Sequence, residues 1–254
     1  MNEMALYQAM LVVYLALAAL TFALLLVVTA PYGRYADRPW QGPTLDNRLA
    51  WLLMESPAVI VFALCFVFGS ARDTTLGRVF FLLWQSHYLY RAFLYPFSLR
   101  GRGKRMPILI AASGFTFNVL NAYLNGRYLF TFSGGYPDSW LRDPRFIAGV
   151  LVFFTGYAIC RQSDAILRGL RRPGETGYKL PSGGLFRWVA APNYLGEIVQ
   201  WGGWALATWS LPGLAFFLWV LANLVPRARA HRRWYRQTFP DFPPRRRALV
   251  PGVW

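Results

Sequence analysis

Apolar segments of about twenty residues recur along the 254-residue chain, and they constrain its fold more than any other feature. A helix needs about 20 apolar residues to cross the hydrocarbon core of a bilayer. Five such segments lie at about residues 7–29, 49–68, 79–97, 108–132 and 146–167. A further apolar stretch, 189–224, is too long for one helix, and Pro212 and Gly213 predict a break within it. The sequence therefore predicts an all-α polytopic membrane protein, with seven transmembrane helices in a single domain covering residues 1–254.

The distribution of basic residues predicts the orientation of these helices. Basic residues outnumber acidic ones 27 to 11, which in a soluble chain would suggest binding to nucleic acid. Here 21 of them lie in the first, third and fifth loops and the C-terminal tail, and five lie on the opposite side. The positive-inside rule then places the tail in the cytoplasm and the N-terminus outside or in a lumen, with a lipid bilayer rather than nucleic acid as the partner.

Arginine outnumbers lysine 25 to 2, which is typical of a GC-rich genome. We therefore expect a bacterial inner membrane, or the endoplasmic reticulum if the source is eukaryotic. The two cysteines, Cys65 and Cys160, both lie in apolar segments, and no metal-ligand spacing is present. A monomer is compatible with the sequence, which leaves the oligomeric state open.

Polar side chains within the apolar segments are the candidate functional residues, because placing them in lipid is costly. Glu55 and Glu197 are two of only four glutamates, and both lie in such segments. Other polar and aromatic residues recur at helical spacing, so that each set shares one face; the sets are Trp84, Tyr88, Arg91 and Tyr95; Asn118, Asn121 and Asn125; Asn193, Glu197, Gln200 and Trp201; and Arg227, His231 and Tyr235. These faces serve either as hydrogen-bonded packing surfaces or as the lining of a cavity, and for the two glutamates we favour function.

The fifth loop, residues 161–187, combines six basic residues with several glycines and prolines. Arginine suits bidentate contact with phosphate, and glycine lets the backbone approach a ligand closely. A phosphate-rich cytoplasmic cofactor would fit there, although G-x-G-x-x-G, Walker and H-E-x-x-H motifs are absent from the sequence. The basic tail has a simpler interpretation as well, which is contact with anionic lipid. The residues alone thus indicate a polar cavity with a basic cytoplasmic mouth.

Eight short motifs give a more specific indication. They are Leu-Met-Glu-Ser-Pro at 53–57, His-Tyr-Leu-Tyr-Arg at 87–91, Tyr-Pro-Asp-Ser-Trp at 136–140, Leu-Arg-Arg-Pro-Gly-Glu at 170–175, Pro-Ser-Gly-Gly-Leu-Phe at 181–186, Asn-Tyr-Leu-Gly-Glu-Ile at 193–198, Ala-Leu-Ala-Thr-Trp-Ser-Leu-Pro at 205–212 and Arg-Arg-Ala-Leu-Val-Pro at 246–251. Taken together, they resemble the steroid 5-alpha-reductase family. The resemblance extends from about residue 51 and is dense after residue 136.

The resemblance implies seven helices enclosing a cavity for NADPH and for a 3-oxo-delta-4 steroid, with a lipid-facing entrance. It implies that Glu55 and Tyr88 are catalytic and hold the C3 carbonyl of the steroid. The implied cofactor residues are Asp164, Arg171, Tyr178, Asn193, Glu197, Arg227, His231, Tyr235 and Arg246. Met54 departs from animal members, which have glutamine there, and this thins the expected polar network around Glu55.

The family chemistry accounts for both implied catalytic residues. Hydride attack at C5 of the enone moves electrons onto the C3 oxygen, where two hydrogen-bond donors stabilise the developing enolate. Apolar surroundings favour a neutral carboxyl, so Glu55 can remain protonated and donate, and Tyr88 supplies the second donor. A proton then reaches C4, with water as the expected source.

Two other functions stay open on the sequence. An isoprenylcysteine carboxyl methyltransferase has a similar C-terminal half, but it usually carries Arg-His-Pro-x-Tyr-x-Gly where this chain has Ala-Ala-Pro-Asn-Tyr-Leu-Gly. That function would also leave Glu55 and Tyr88 unexplained. A non-enzymatic seven-helix sensor is the second alternative, although the seventh segment has no lysine to carry retinal.

Overall fold

The computed structural model describes residues 2–31, 33–35, 42–98, 104–172, 175 and 177–253, and α-helices dominate them. The helices are α1 (Glu3–Val27), α2 (Asn47–Val67), α3 (Thr75–Leu89), α4 (Tyr95–Ser98), α5 (Ile108–Arg127), α6 (Pro144–Gly169), α7 (Pro192–Thr208) and α8 (Leu211–Thr238). Strands β1 (Thr44–Asp46) and β2 (Arg105–Pro107) pair antiparallel, with Leu45 opposite Met106. The predicted all-α class is confirmed, and the sequence patterns did not reveal this small sheet.

Five of these helices are long and apolar enough to cross a membrane: α1, α2, α5 with the π-helical turn Tyr128–Phe132 that follows it, α6 and α8. The prediction of a polytopic membrane protein is therefore confirmed. Helices α3 and α7 occupy the predicted third and sixth spans, but they have only 15 and 17 residues. Helix α3 continues through a second π-helical turn, Tyr90–Leu94, into α4. The count of seven spans stays a prediction.

The boundary between α7 and α8 lies where the sequence predicts a break. Helix α7 ends at Thr208, and Trp209 takes a left-handed conformation with φ of 43°. The hydroxyl of Ser210 then caps α8 by accepting a hydrogen bond from the Gly213 amide at 3.1 Å. Pro212 lies in the first turn of α8, where its missing N–H leaves no intrahelical hydrogen bond unmade. The helix continues well past residue 224 to Thr238, with Pro226 inside it.

The chain forms two compact units, which are described separately below, and a single domain stays a prediction. The first unit contains residues Met1–Met10 and Ala30–Phe146. Its core includes the ring of Phe62 on α2, which stacks on Trp84 of α3 at 4.4 Å. The start of α1 attaches to α5, because the Tyr7 hydroxyl donates to the Leu124 carbonyl oxygen at 2.8 Å. Helices α3 and α5 thus pack against the buried side of α2.

The second unit contains residues Leu11–Thr29 and Ile147–Trp254. Its helices α6 and α7 run antiparallel and touch through their backbones. A Cβ added to Gly156 would lie 2.2 Å from the Gln200 nitrogen, and one added to Gly203 would lie 2.3 Å from the Phe153 nitrogen. Small residues of this kind let membrane helices approach closely. The close contact sets the register of every side chain on these two helices.

The C-terminal tail returns to the segment that precedes α7. The Arg247 amide donates to the Trp188 carbonyl at 2.9 Å, the Ala190 amide donates to the Arg247 carbonyl at 2.8 Å, and the Ala191 amide donates to the Ala248 carbonyl at 3.2 Å. These bonds dock the tail in a parallel arrangement beside residues 188–191. They fix the position of Arg246 within the second unit.

Candidate active site

The two residues that the sequence implies to be catalytic both lie in the first unit. Glu55 is on α2 and Tyr88 is on α3, with exposed fractions of 9% and 4%. Both side chains are therefore largely shielded from solvent, as a donor to a developing negative charge should be.

The Glu55 carboxyl has a defined polar partner at each oxygen. Asn118 of α5 donates from Nδ2 to Oε2 at 3.3 Å and to the Met54 carbonyl oxygen at 2.8 Å. The Nε of Arg91 lies 3.7 Å from Oε1. The Asn118 amide and the Arg91 guanidinium therefore give the Glu55 carboxyl a hydrogen-bond donor at one oxygen and a positive charge beside the other.

The side chain of Met54 offers Glu55 no amide in place of glutamine, so the thinner polar network around Glu55 stays a prediction. The Met54 side chain packs on α5 at Gly114, where an added Cβ would lie 2.3 Å from Cγ of Met54. Asn118 lies one turn further along α5 and reaches the carboxyl instead. The absence of a side chain at Gly114 is what allows α2 and α5 to pack around Met54.

Tyr88 is supported by Trp84, which binds α2 directly. The two rings lie 4.8 Å apart, and the Trp84 indole N–H donates to the Ala58 carbonyl oxygen at 2.9 Å. His87 packs edge-on against the Tyr88 ring at 4.9 Å. Because Ala58 is less than one helical turn beyond Glu55, the same part of α2 positions both candidate catalytic residues.

All nine implied cofactor residues lie in the second unit, and several of them form one connected cluster. Arg227 donates from Nε to the Tyr194 hydroxyl at 3.0 Å. The Nδ1 of His231 lies 3.0 Å from the Arg227 carbonyl oxygen, which can only accept, so Nδ1 carries a proton. In the neutral ring, Nε2 then accepts from Tyr194 at 3.4 Å. The buried side chains of Arg227 and His231 are held in place by one tyrosine.

Aromatic rings extend this cluster toward the fifth loop. Tyr235 stacks on Phe242 of the tail at 5.9 Å with an interplanar angle of 8°. Trp234 lies edge-on to Tyr178 at 5.2 Å, and the Arg171 guanidinium lies 4.9 Å from the centre of the Tyr178 ring. The structure therefore brings residues of the loop, of α8 and of the tail together.

Arg246 is a second buried arginine near this cluster. It is 5% exposed, and its Nη1 donates to the Pro181 carbonyl oxygen at 3.1 Å. Its guanidinium lies 5.2 Å from the Phe242 ring centre, and among the described residues its buried Nε has no hydrogen-bond partner. Burial lowers the pKa of Arg246, because the charged form loses solvation. An anionic group would supply both the missing acceptor and the missing charge, and phosphate fits this requirement.

Asp164, Asn193 and Glu197 are placed by the contact between α6 and α7. A Cβ on Gly196 would lie 2.5 Å from the Cys160 nitrogen, so these two residues are level with each other. Asp164 is one turn beyond Cys160, and Asn193 is nearly one turn before Gly196 on the antiparallel helix, so both lie at the same end of the pair. Asp164 is 4% exposed, and Asn193 and Glu197 are half-buried.

Several residues near these sites were not among the predicted site residues. Tyr194, which contacts Arg227 and His231, directly follows Asn193 in one of the quoted motifs, and this neighbour was the available signal. Asn118 and Arg91 were recognised as members of polar helix faces, but their approach to Glu55 depends on the packing of three helices. Phe242 lies in the tail, where no periodic pattern marks it.

Comparison with known proteins identifies the family. The family model described as 3-oxo-5-alpha-steroid 4-dehydrogenase matches residues 104–254. The chain is 40% identical over 240 residues to 3-oxo-5-alpha-steroid 4-dehydrogenase 1 of Bos taurus, covering 93% of this chain and 92% of that protein. It is 39% identical over 259 residues to steroid 5-alpha-reductase DET2 of Gossypium hirsutum, covering 100% and 99%. With 3-oxo-5-alpha-steroid 4-dehydrogenase 1 of Homo sapiens, identity is 40% over 222 residues, covering 87% and 85%. The chain therefore belongs to the 3-oxo-5-alpha-steroid 4-dehydrogenase, or steroid 5-alpha-reductase, family of membrane enzymes.

Proposed function

We propose that this protein uses NADPH to reduce the delta-4 double bond of 3-oxo-delta-4 steroids, while Glu55 and Tyr88 polarise the C3 carbonyl. The observation that carries this proposal is a buried carboxyl and a buried phenol positioned by the same part of α2. The names of the similar proteins, which describe reductases or dehydrogenases of steroids, support the choice of substrate class.

Glu55 and Tyr88 stabilise the charge that develops on the substrate. When C5 accepts a hydride, electron density moves through the enone to the C3 oxygen. The Tyr88 hydroxyl and the protonated Glu55 carboxyl donate hydrogen bonds to this oxygen, and such donors act most strongly where water is excluded. Asn118 orients the carboxyl through its bond to Oε2. Water supplies the proton that completes the reduction at C4.

The second unit supplies residues suited to the cofactor. NADPH, when bound, provides the hydride. Arg246, whose buried Nε has no hydrogen-bond partner among the described residues, is suited to hold a phosphate oxygen, and Arg171 and Arg227 provide further positive charge. The 2′-phosphate distinguishes NADPH from NADH, and arginine forms strong charge-assisted bonds with it. The other cofactor residues of this proposal are Asp164, Tyr178, Asn193, Glu197, His231 and Tyr235.

The membrane setting fits an apolar substrate. We propose that the steroid enters from the bilayer, which also limits the access of water to the reacting atoms. The excess of basic residues in the tail and the odd-numbered loops supports a cytoplasmic tail, where NADPH would be accessible. A bacterial inner membrane is the location that we favour on composition.

The experiment that tests this function compares Glu55→Ala and Tyr88→Phe with the wild type in steady-state reduction of a 3-oxo-delta-4 steroid. Loss of one transition-state donor typically costs about 10²–10³ in kcat. NADPH affinity should be unchanged in both variants, because both residues lie outside the cofactor cluster. Tyr123→Phe is the control, since Tyr123 donates to Glu3 at 3.3 Å in the same unit and should not affect the rate. Wild-type kcat in Glu55→Ala would show that the assigned role is wrong.

A further inference from the structure

The Arg91 guanidinium lies against the faces of two aromatic rings. Its central carbon is 4.7 Å from the Trp51 ring centre and 4.5 Å from the Tyr95 ring centre, and the two rings meet edge-on at 5.6 Å. Trp51 is one turn before Glu55 on α2, and Tyr95 is about one turn after Arg91. Aromatic faces attract cations, and the flat guanidinium is better suited than an ammonium group to stacking on a ring. Arg91 is therefore held at a defined position beside Glu55.

The backbone at Arg91 is irregular. It lies in the π-helical turn Tyr90–Leu94, in which the Tyr95 amide donates to the Tyr90 carbonyl oxygen five residues back. Single π-helical turns within α-helices occur frequently at functional sites.

Arg91 and Glu55 form a close ion pair. The distance from Nε to Oε1 is 3.7 Å, and the two side chains are 16% and 12% exposed. At this distance the interaction is electrostatic, and it is weakly screened because both groups are shielded from water. Asn118 contacts the other carboxyl oxygen. The arginine is thus placed to stabilise negative charge on Glu55 without sharing its proton.

We propose that Arg91 is a positioning residue for the reduction: it orients the Glu55 carboxyl and stabilises the negative charge that grows on it as its proton is shared with the developing enolate. This inference rests on the proposed function of Glu55. Trp51 and Tyr95 keep the guanidinium in place, so that it is already beside Glu55 when this charge develops. Arg91 itself makes no contact with the reacting atoms in this role.

The first test removes the charge while keeping most of the side-chain volume. Arg91→Met should lower kcat by roughly 10- to 100-fold, the range for losing an interaction with a charged group. Its KM for NADPH should stay within about twofold of the wild-type value, and Arg91→Lys should recover part of kcat because the charge returns without the planar stacking. The control is Arg78→Met on the same helix, because Arg78 is exposed and pairs with Asp73. Arg78→Met should behave as the wild type.

A double-mutant cycle separates this role from a purely structural one. Glutamine at position 55 cannot gain negative charge, so Arg91→Met should lower kcat by no more than about twofold in the Glu55→Gln background. An equal loss in both backgrounds would contradict the proposal. The affinity for a saturated 3-oxo steroid provides a readout that needs no turnover. Each single variant should weaken it, and the double variant should weaken it no further; additive losses would again contradict the coupling.

The outcomes also distinguish this inference from the proposed function. If Glu55→Ala is inactive and Arg91→Met keeps wild-type kcat, the role of Arg91 is wrong and that of Glu55 stands. If Glu55→Ala itself keeps wild-type kcat, the proposed function of Glu55 fails, whatever the result at Arg91.

Discussion

Gly156 lies at the closest approach of α6 and α7, so Gly156→Ala perturbs the second unit in a way that can be calculated from the structure. The added Cβ would lie 2.2 Å from the Gln200 nitrogen and 2.5 Å from the Gly196 carbonyl oxygen, and both are backbone atoms. A rotamer change cannot relieve these contacts. The helices would have to separate locally by about 1.2 Å for the shorter contact to reach 3.4 Å.

The expected cost follows from two opposing effects. Overpacking of a tight contact costs about 1–3 kcal/mol. Alanine is a better helix former than glycine by about 0.5–1 kcal/mol, which offsets part of this loss. We therefore expect a net destabilisation of about 1–2 kcal/mol, which lowers Tm by about 2–8 °C in a chain of this size. Gly169→Ala is the matched control, because it lies on the same helix with no atom within 4 Å of the added Cβ.

Cys160 provides a local assay of this contact. It is 6% exposed and level with Gly196, so its reaction with a thiol-specific dye requires α6 and α7 to separate. In a Cys65→Ser background, Gly156→Ala should raise the labelling rate of Cys160 and lower Tm, whereas Gly169→Ala should do neither. The KM for NADPH should rise as well, since the same contact places Asp164 and Asn193. Equal Tm and labelling rates in the two variants would refute the close backbone contact.

Three further predictions concern the cofactor residues, the membrane topology and the support of Tyr88 by Trp84. Arg171→Ala and Arg246→Ala should each raise the KM for NADPH much more than that for the steroid; if these arginines only contact anionic lipid, nucleotide affinity will not change. A cysteine introduced at Arg245 should react with an impermeant reagent only from the cytoplasmic side, and labelling from outside would reverse the orientation. Trp84→Phe removes the bond to the Ala58 carbonyl oxygen and should lower kcat by roughly 5- to 10-fold, the effect of about 1–1.5 kcal/mol. An unchanged kcat would mean that Trp84 does not support Tyr88.

Hydropathy and breaker residues were sufficient to predict most helices. The predicted segment 108–132 coincides with α5 and its π-helical turn, because a long run of apolar residues determines both ends. Pro212 and Gly213 predicted the boundary before α8 because each residue changes the backbone preferences at its own position. These features depend only on residues close in sequence.

Features that depend on tertiary packing could not be predicted in the same way. The π-helical turn at Arg91 has no signal in its residue types, and the pairing of β1 with β2 joins segments that are far apart in the sequence. The glycines of α6 and α7 are visible in the sequence, but only the structure shows that Gly156 meets Gln200 and not a lipid chain. Helix α8 continues past the end of the apolar signal at residue 224, as the helical spacing of Arg227, His231 and Tyr235 indicates.

The candidate site also combines features that the sequence predicts with features that depend on tertiary packing. The motifs placed Glu55 and Tyr88 on separate segments, and the bond from Trp84 to α2 became evident only in the folded chain. Family membership decides among the functions that the sequence left open, in favour of a steroid reductase over a methyltransferase or a sensor. The contact between Tyr194 and Arg227 needed the packing of α7 on α8.

The most direct test of the central claim follows the hydride itself. The purified protein would be incubated with a 3-oxo-delta-4 steroid and with NADPH that carries deuterium at the transferable C4 position, and the product would be analysed by mass spectrometry and NMR. The proposed function predicts a saturated 3-oxo product with deuterium at C5 and a solvent-derived proton at C4, formed faster with NADPH than with NADH. Deuterium at C3 in an alcohol product, or no deuterium in the steroid, would contradict it.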